Sequence, residues 1–393
     1  MSIYRTMLIN KTTLSITKNV VLVHSGEDFF NRLEQIILDA KTEIHIQTYI
    51  FDYDTTGKKI ISALKEAALR NVKIYILLDG FGSFSFPKEV LNDLKKSGIE
   101  IRFFSPFFSA NSLYIGRRLH HKIVVSDSKI ALIGGINIAN KYSGTNKVEP
   151  WLDYAVQLTD EGIGEQLTKL CLDIYLRKRR VNRKRIASVV NSNSEVAVSV
   201  LQNDWLKRKN EIYRAYLKSI GNAKKDIVIM GSYFLPGRKL VATLKKASHN
   251  NVKIKLILSG ISDIPMARRA SCHLYTKLLR NNIELYEWKS SILHGKAAVV
   301  DNSWTTIGSF NLNNLSSFAS IEMNVGIKSN EFSNNYLLHL NEIMAQCERI
   351  TPQSMHLHGK LTTKFLNWVC YWTTRTIEII VTYLPLKRFK ILY

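Results

Sequence analysis

Cysteine is scarce and scattered: Cys171, Cys272, Cys347 and Cys370 include no C-x-x-C pair. They offer neither a disulfide framework nor a zinc site, and a reducing compartment is the simpler expectation. Long apolar runs are also missing. No stretch reaches the roughly 18 apolar residues of a transmembrane helix. The opening segment, MSIYRTMLINKTTLSITKN, has no continuous apolar core and no small-residue cleavage site, so no signal peptide is expected. Negative charge is short: 32 Asp and Glu stand against 55 Lys and Arg, a net charge of +23. The bland account of that excess is solubility. The sharper one is a polyanionic partner, nucleic acid or an anionic membrane, and charge alone does not choose between these two. With 46% hydrophobic and 22% charged residues the chain is not disordered, and 393 residues allow two domains with full cores.

What the chain does have is one short pattern, twice. From His120 it reads HHKIVVSDSKIALIGGIN, and from His294 it reads HGKAAVVDNSWTTIGSFN. In both, Lys follows His by two positions, Asp follows Lys by five, and Gly-[GS]-x-Asn begins seven positions later. One such copy should arise by chance at roughly 10⁻⁷ to 10⁻⁸ per starting position. Two copies are not an accident of composition.

The alternation within each copy predicts a strand. In the second, Ala298 and Val300 face one side while Lys296, Ala297 and Val299 alternate around them. His and Lys sit at one strand end and share a face because they are two apart. The turn after Trp304–Ile307 can bring further donors to that face, Ser309 and Asn311 here and Asn137 in the first copy. An imidazole, an ammonium, a hydroxyl and an amide suit a cluster of anionic oxygens such as a phosphate. The set lacks a carboxylate-rich cage, so it requires no metal.

The surrounding chain repeats too. Ser25-Gly-Glu-Asp28 reads as a capping box opening a helix with the apolar face Phe29, Phe30, Leu33, Ile36, Ile37 and Ala40. A strand over Glu43–Phe51, a helix over Gly57–Leu69 and a buried strand from Val72 follow. The same order returns as a helix over Glu211–Ala223, a strand over Asp226–Phe234, a helix over Lys239–Ala247 and a strand from Val252. Asn71-Val72-Lys73-Ile74 matches Asn251-Val252-Lys253-Ile254, and Ser97-Gly-Ile-Glu-Ile matches Asn281-Asn-Ile-Glu-Leu. The chain is therefore a tandem repeat of one α/β unit, with pseudo-two-fold symmetry and a shared cleft that unites the motifs. Such a cleft supplies two imidazoles, as in-line displacement at phosphorus needs.

Expected boundaries are an N-terminal arm or edge strand (1–18), a first domain (19–175), a basic linker (176–194), a second domain (195–350) and an amphipathic tail (351–393). Seven basic residues lie between Arg177 and Arg185, a solvated face or an attraction to anionic head groups. On a helix in the tail, Phe365, Trp368, Val369, Trp372, Ile379, Ile380 and Tyr383 share one face, ahead of Pro385 and of Lys387, Arg388 and Lys390. That face either lies in a membrane interface or docks on the core. The apolar loop from Pro106 to Ile115 is a second candidate for lipid contact. His358-Gly-Lys360 is no third motif, since Phe365 stands in the Asp position. His45 and His273 lie in apolar patterns and read as structural.

The doubled H-x-K-x4-D-x6-G-[GS]-x-N pattern resembles the phospholipase D superfamily. That resemblance implies two tandem α/β/α sandwich domains with the active site at their interface, and two-step phosphodiester chemistry without metal or cofactor. His120 is then the nucleophile and His294 the general acid and base. Lys122, Lys296, Asn137, Ser309 and Asn311 hold phosphate oxygens. An acidic residue downstream of each motif orients a histidine: Glu322 after the second and, as a weaker match, Asp153 after the first. Asp127 and Asp301 belong to the catalytic motif but read as supporting local architecture.

Residues 19–345 look more narrowly like the short, B-type bacterial cardiolipin synthases, through YILLDGFGS, LHHKIVVSDSKIALIGGIN, SYFLPGRKL and LHGKAAVVDNSWTTIGSFNL. Leu119 directly before His120, and Asn313 where Asp commonly stands, depart from that pattern. The resemblance implies phosphatidyl transfer between phosphatidylglycerol molecules at the cytoplasmic face of a bacterial inner membrane. It also implies an anionic phospholipid substrate, a peripheral membrane location and no nucleic-acid partner. A phospholipid hydrolase, or a metal-independent nuclease, is the alternative.

Overall fold

Each copy of the motif is a β-hairpin, and its aspartate makes the turn. A computed structural model describes residues 14–16, 20–106, 108–109, 112–113, 117–145, 148–177, 196–204, 207, 209–314, 316, 320–354, 361–383 and 389–390. Most of the Pro106–Ile115 loop, the basic run from Lys178, the His358–Lys360 segment, Pro385, Lys387 and Arg388 lie outside the described residues. Asp127 and Ser128 have φ of 50° and 52°, and Asp301 and Asn302 have 51° and 51°. Two successive left-handed residues form the type I′ turn that suits strand twist. The Asp127 carboxylate then accepts the backbone N–H groups of Lys41 (2.8 Å), Thr42 (2.7 Å) and Glu43 (3.1 Å). Asp301 does the same for Lys224 (2.9 Å), Lys225 (2.8 Å) and Asp226 (3.1 Å). The motif aspartates thus sit at the hairpin tips, at the far end of the strand from the motif lysine, and tie each hairpin to the strand beside it.

After β1 (Leu14–Ile16), the first half runs β2 (Val20–His24), α1 (Glu27–Asp39), β3 (Glu43–Thr48), α2 (Thr55–Leu69), β4 (Lys73–Asp79), α3 (Lys88–Lys96) and β5 (Glu100–Phe104). Three two-residue strands follow: β6 (Phe108–Ser109), β7 (Ser112–Leu113) and β8 (Arg118–Leu119). The motif hairpin is β9 (Lys122–Ser126) and β10 (Ile130–Gly134), and the half closes with α4 (Asn140–Ser143), β11 (Tyr154–Thr159) and α5 (Glu161–Tyr175). The second half opens with β12 (Ala197–Asp204), β13 (Lys209–Asn210), α6 (Glu211–Gly221), β14 (Asp226–Gly231), α7 (Arg238–His249), β15 (Lys253–Ser259), α8 (Pro265–Leu279) and β16 (Ile283–Trp288). Its hairpin is β17 (Lys296–Val300) and β18 (Trp304–Gly308), followed by β19 (Ser320–Lys328), α9 (Asn330–Ala345), β20 (Glu348–Ile350), α10 (Leu361–Tyr383) and β21 (Phe389–Lys390).

The sheet orders confirm the repeat. The first sheet is β2-β11-β10-β9-β3-β4-β5, and the second contains β12-β19-β18-β17-β14-β15-β16, the same order strand for strand. In each, only the last three strands run parallel. The N-terminal segment crosses over: β1 pairs with β12, Leu14 opposite Ser199, and so edges the second sheet. The repeated tetrapeptide has a conformational cause. Asn71 (φ 65°) and Asn251 (φ 63°) end α2 and α7 in the left-handed region, where the next amide, of Val72 or Val252, returns to Ala67 O or Ala247 O.

Among the described residues three large cores layer the molecule, with a small fourth around Leu77, Leu119 and Ile321. The faces of the sheets turned outward bury Phe29, Leu33, Ile60 and Leu64 in one half and Ile212, Leu240, Leu244 and Leu274 in the other. The inner faces share one core, in which Ile123, Val125 and Val156 join Ala297, Val299 and Val325, with Leu167 of α5 and Leu340 of α9 between the sheets. The expected capping box is not there. Gly26 precedes α1 without a side-chain cap, and Ser25 Oγ instead donates to Trp151 O (2.6 Å) and accepts from Asp153 N (3.1 Å).

Because Asp127 anchors backbone rather than facing the histidines, Asp127→Ala should cost about 1–2 kcal/mol of stability. Urea unfolding should show a lower midpoint, while turnover per folded molecule stays near that of the unaltered protein.

Candidate active site

Both motif histidines are set down against chain from the opposite half. Strand β8, just ahead of His120, runs parallel to β19 with Leu119 opposite Ile321, and His120 N donates to Ile321 O at 3.0 Å. The next residue on β19 is Glu322, whose carboxylate takes His120 Nδ1 at 2.9 Å. The second half mirrors this. Leu152 pairs in parallel with Leu293, and its carbonyl accepts from His294 N and Gly295 N at 2.8 Å each. The residue after Leu152 is Asp153, which meets His294 Nδ1 at 2.5 Å. Sequence order suggested that each carboxylate serves the motif upstream of it. The strand pairing crosses them, so neither half holds a complete histidine–carboxylate pair.

Each carboxylate has its own seat, and the seats differ. Glu322 accepts from Ser309 Oγ at 2.5 Å, and Ser309 is fully buried, also donating to Met323 O (3.3 Å) and accepting from Met323 N (3.1 Å). Ser309 was expected to hold a substrate oxygen; its hydroxyl is instead one step behind the histidine. The matching residue in the first half is Gly135, where a Cβ would lie 2.4 Å and 2.5 Å from the Asp153 carboxylate oxygens. Glycine is what leaves room for Asp153, whose backbone Ser25 fastens.

The motif lysines are buried beside the histidines. Lys122 Nζ donates to His120 O at 2.5 Å, and Lys296 Nζ donates to His294 O and stands 3.9 Å from Asp153 Oδ2. Burial lowers their pKa values, to about 7 for Lys122 and about 8 for Lys296, against the pull of Glu322 and Asp153. Two desolvated ammonium groups favour an incoming anion, which would restore their proton affinity. Burial also lowers the pKa of both histidines, and Lys122 and Lys296 add to this, so their charges reach both rings. For Asp153 burial works the other way and raises the pKa to about 6. A neutral imidazole giving Nδ1–H to a carboxylate presents the Nε2 lone pair, as a nucleophile or general base must. Tyr142 OH lies 3.5 Å from His294 Nε2 and accepts from Asn137 Nδ2 at 2.8 Å. Asn137 Oδ1 accepts from Ile50 N (3.0 Å), and Asn311 Oδ1 accepts from Ser232 Oγ (2.9 Å).

Several contributors escaped the sequence reading. Tyr49 sets its ring edge-on to His120 at 5.0 Å, while Tyr142 (5.2 Å) and Trp151 (5.8 Å) line His294. Asp79, at the end of β4, accepts from Leu119 N (2.8 Å), Phe81 N (2.9 Å) and Gly82 N (3.1 Å), which holds the approach to His120. Asp79 had a legible signal, a lone carboxylate ending an apolar strand before Gly. The aromatic residues had none, since nothing local distinguishes them from core. His45 stacks on Tyr75 and His273 lies against Tyr371, structural positions as expected.

Tandem repeats that contribute one histidine each, with each ring held by a carboxylate of the other half, define a phospholipase D-like architecture. A family model described as cardiolipin synthase, PLD-like domain, matches residues 33–168 and 216–344. The chain is 33% identical over 341 residues to cardiolipin synthase B of Escherichia coli (strain K12), covering 84% of this chain and 82% of that protein. It is 28% identical over 339 residues to a minor cardiolipin synthase of Bacillus subtilis (strain 168), covering 85% and 83%. Among solved structures, phosphatidylserine synthase of Haemophilus influenzae Rd KW20 superposes with a TM-score of 0.76 over 96% of this chain and 98% of that one. At 15% identity this likeness speaks for the fold. The chain belongs to the family of PLD-like cardiolipin synthases.

Gly135→Ala should displace the Asp153 carboxylate and with it His294. A misplacement of about 1 Å lowers kcat/KM by about 10²-fold. Steady-state kinetics alongside an unchanged far-ultraviolet circular dichroism spectrum checks this, and activity near that of the unaltered protein would contradict it.

Proposed function

We propose that the protein is a phosphatidyltransferase that joins two phosphatidylglycerol molecules into cardiolipin and releases glycerol. The observation that carries this reading is the crossed pair, His120 with Glu322 and His294 with Asp153, around two buried lysines. The family supports the substrate class. In the first step His120 Nε2 attacks phosphorus, and the glycerol oxygen leaves with the Nε2 proton of His294, which enters this step as an imidazolium paired with Asp153 and leaves it neutral. In the second, a hydroxyl of another phosphatidylglycerol gives its proton to His294 and attacks phosphorus, and the bond from phosphorus to His120 breaks. Lys122, Lys296, Asn137 and Asn311 hold the non-bridging oxygens as charge builds. Glu322 and Asp153 orient the rings, Ser309 seats Glu322, and Asp127 and Asp301 keep the hairpins in place. The route uses these side chains and no cofactor.

The substrate lies in a membrane, and we place the protein peripherally on its cytoplasmic face. Among the described residues no helix is long and apolar enough to cross a membrane. Helix α10 docks on α8 through Cys370 and Tyr371, and Arg375 Nη2 donates to Pro236 O at 2.5 Å. Its other face leaves Phe365, Trp368, Trp372, Ile379 and Ile380 exposed, five of the seven residues grouped on one face by the sequence, while Val369 is half-buried. A Trp-rich apolar face on a strongly basic protein suits an anionic lipid surface.

Purified protein on phosphatidylglycerol vesicles should yield cardiolipin and glycerol by lipid mass spectrometry, and His120→Ala or His294→Ala should abolish both. Phosphatidic acid as the sole lipid product would replace the synthase reading with a hydrolase. Replacing Phe365, Trp368 and Trp372 together by Ser should weaken vesicle binding by on the order of 10²-fold or more. Unchanged co-sedimentation with vesicles would remove α10 as the membrane contact.

A further inference from the structure

The two halves of the site also differ in the turns that follow β4 and β15. Four residues past the end of β4 stands Ser83, fully buried, its hydroxyl donating to Tyr49 O (3.0 Å) and accepting from Phe51 N (3.1 Å). Four residues past the end of the matching strand β15 stands Asp263, exposed to solvent. Tyr233 OH donates to both of its carboxylate oxygens, at 2.6 Å and 2.8 Å, and the Tyr233 ring stands edge-on to His294 at 6.4 Å. Tyr233 thus stands between His294 and a carboxylate for which the first half has a serine at the matching position. The negative charge also acts on His294 and Lys296, which puts it within electrostatic reach of the site.

A carboxylate beside a phosphate-binding centre repels the phosphate, so its ligand must be a hydrogen-bond donor. The two oxygens offer about four lone-pair sites, of which Tyr233 OH and, at 3.5 Å, Ser262 Oγ use some and leave others open. The side of the cleft is informative as well, because His294 is where the alcohol leaves and where the next alcohol enters. We propose that Asp263, held by Tyr233, accepts a hydrogen bond from a second hydroxyl of the glycerol head group. It thereby selects polyol acceptors over water and simple alcohols. This rests on the phosphatidyltransferase reading. One hydroxyl of the acceptor passes its proton to His294 as its oxygen bonds to phosphorus and the phosphorus–His120 bond breaks. The neighbouring hydroxyl donates to Asp263 and fixes the attacking oxygen in line.

The test is a partition experiment on the full chain. Phosphatidylglycerol vesicles receive equal concentrations of deuterated glycerol and 1-propanol, and mass spectrometry reads labelled phosphatidylglycerol against phosphatidylpropanol. Both products come from one phosphatidyl-enzyme, so the ratio is insensitive to donor binding and to the amount of folded protein. Asp263→Ala and Asp263→Asn should lower the glycerol-to-propanol ratio by roughly 10-fold or more, with transfer to propanol retained. Tyr233→Phe keeps the ring but frees the carboxylate, and should shift the ratio the same way. An unchanged ratio in the Asp263 variants would overturn the inference while leaving phosphatidyl transfer intact. Failure of the unaltered protein to transfer to either alcohol would overturn both.

Discussion

The exchange of carboxylates between halves is the constraint on which the rest depends. His120 is oriented by Glu322 of the second repeat and His294 by Asp153 of the first. Short parallel pairings, Leu119 with Ile321 and Leu152 with Leu293, set each exchange to a single register. A one-residue slip would turn the carboxylate to the opposite face of its strand. The shared core around Ile123, Val125, Ala297 and Val299 therefore does more than join two domains. It fixes the register that makes two imidazoles competent.

Pseudo-symmetry gives two similar halves, while a displacement in two steps needs two different histidines. The differences lie beside the rings rather than in the motif. Ser309 ties down Glu322, whereas Gly135 clears space for Asp153. Tyr49 and Lys122 sit against His120, whereas Tyr142, Trp151 and Tyr233 surround His294. His294 is also the more buried of the two, its side chain 7% exposed against 18% for His120. The proposed roles, an open nucleophile and an enclosed acid–base partner, suit a reaction in which water must be kept from the second step.

Much of this was legible because local physics repeats. Strand alternation marked the motif strands, and the Asn-Val-Lys-Ile match marked the repeat, while the left-handed helix end it encodes was visible only in the fold. Helix α10 was legible as an amphipathic element, but the choice between docking and lipid was posed as exclusive. The helix docks by Tyr371 and Arg375 and keeps its Trp face open, so docking leaves the proposed lipid face free. The crossed carboxylates were not legible, since sequence order pairs Glu322 with the nearer motif and only sheet topology reverses it. Ser25 was misassigned for a related reason: a serine before a helix looks like a cap, and its actual partners lie 126 and 128 residues away.

The central claim is that both histidines act on one phosphorus, one as nucleophile and one as proton carrier. A phosphatidyl ester of p-nitrophenol separates the roles, because its leaving group needs no proton. With this donor, His294→Ala should release one equivalent of p-nitrophenolate in a burst, stop, and carry the phosphatidyl group on His120 in peptide mass spectrometry. His120→Ala should give no burst. A burst from His120→Ala, or an adduct found on His294, would contradict the account.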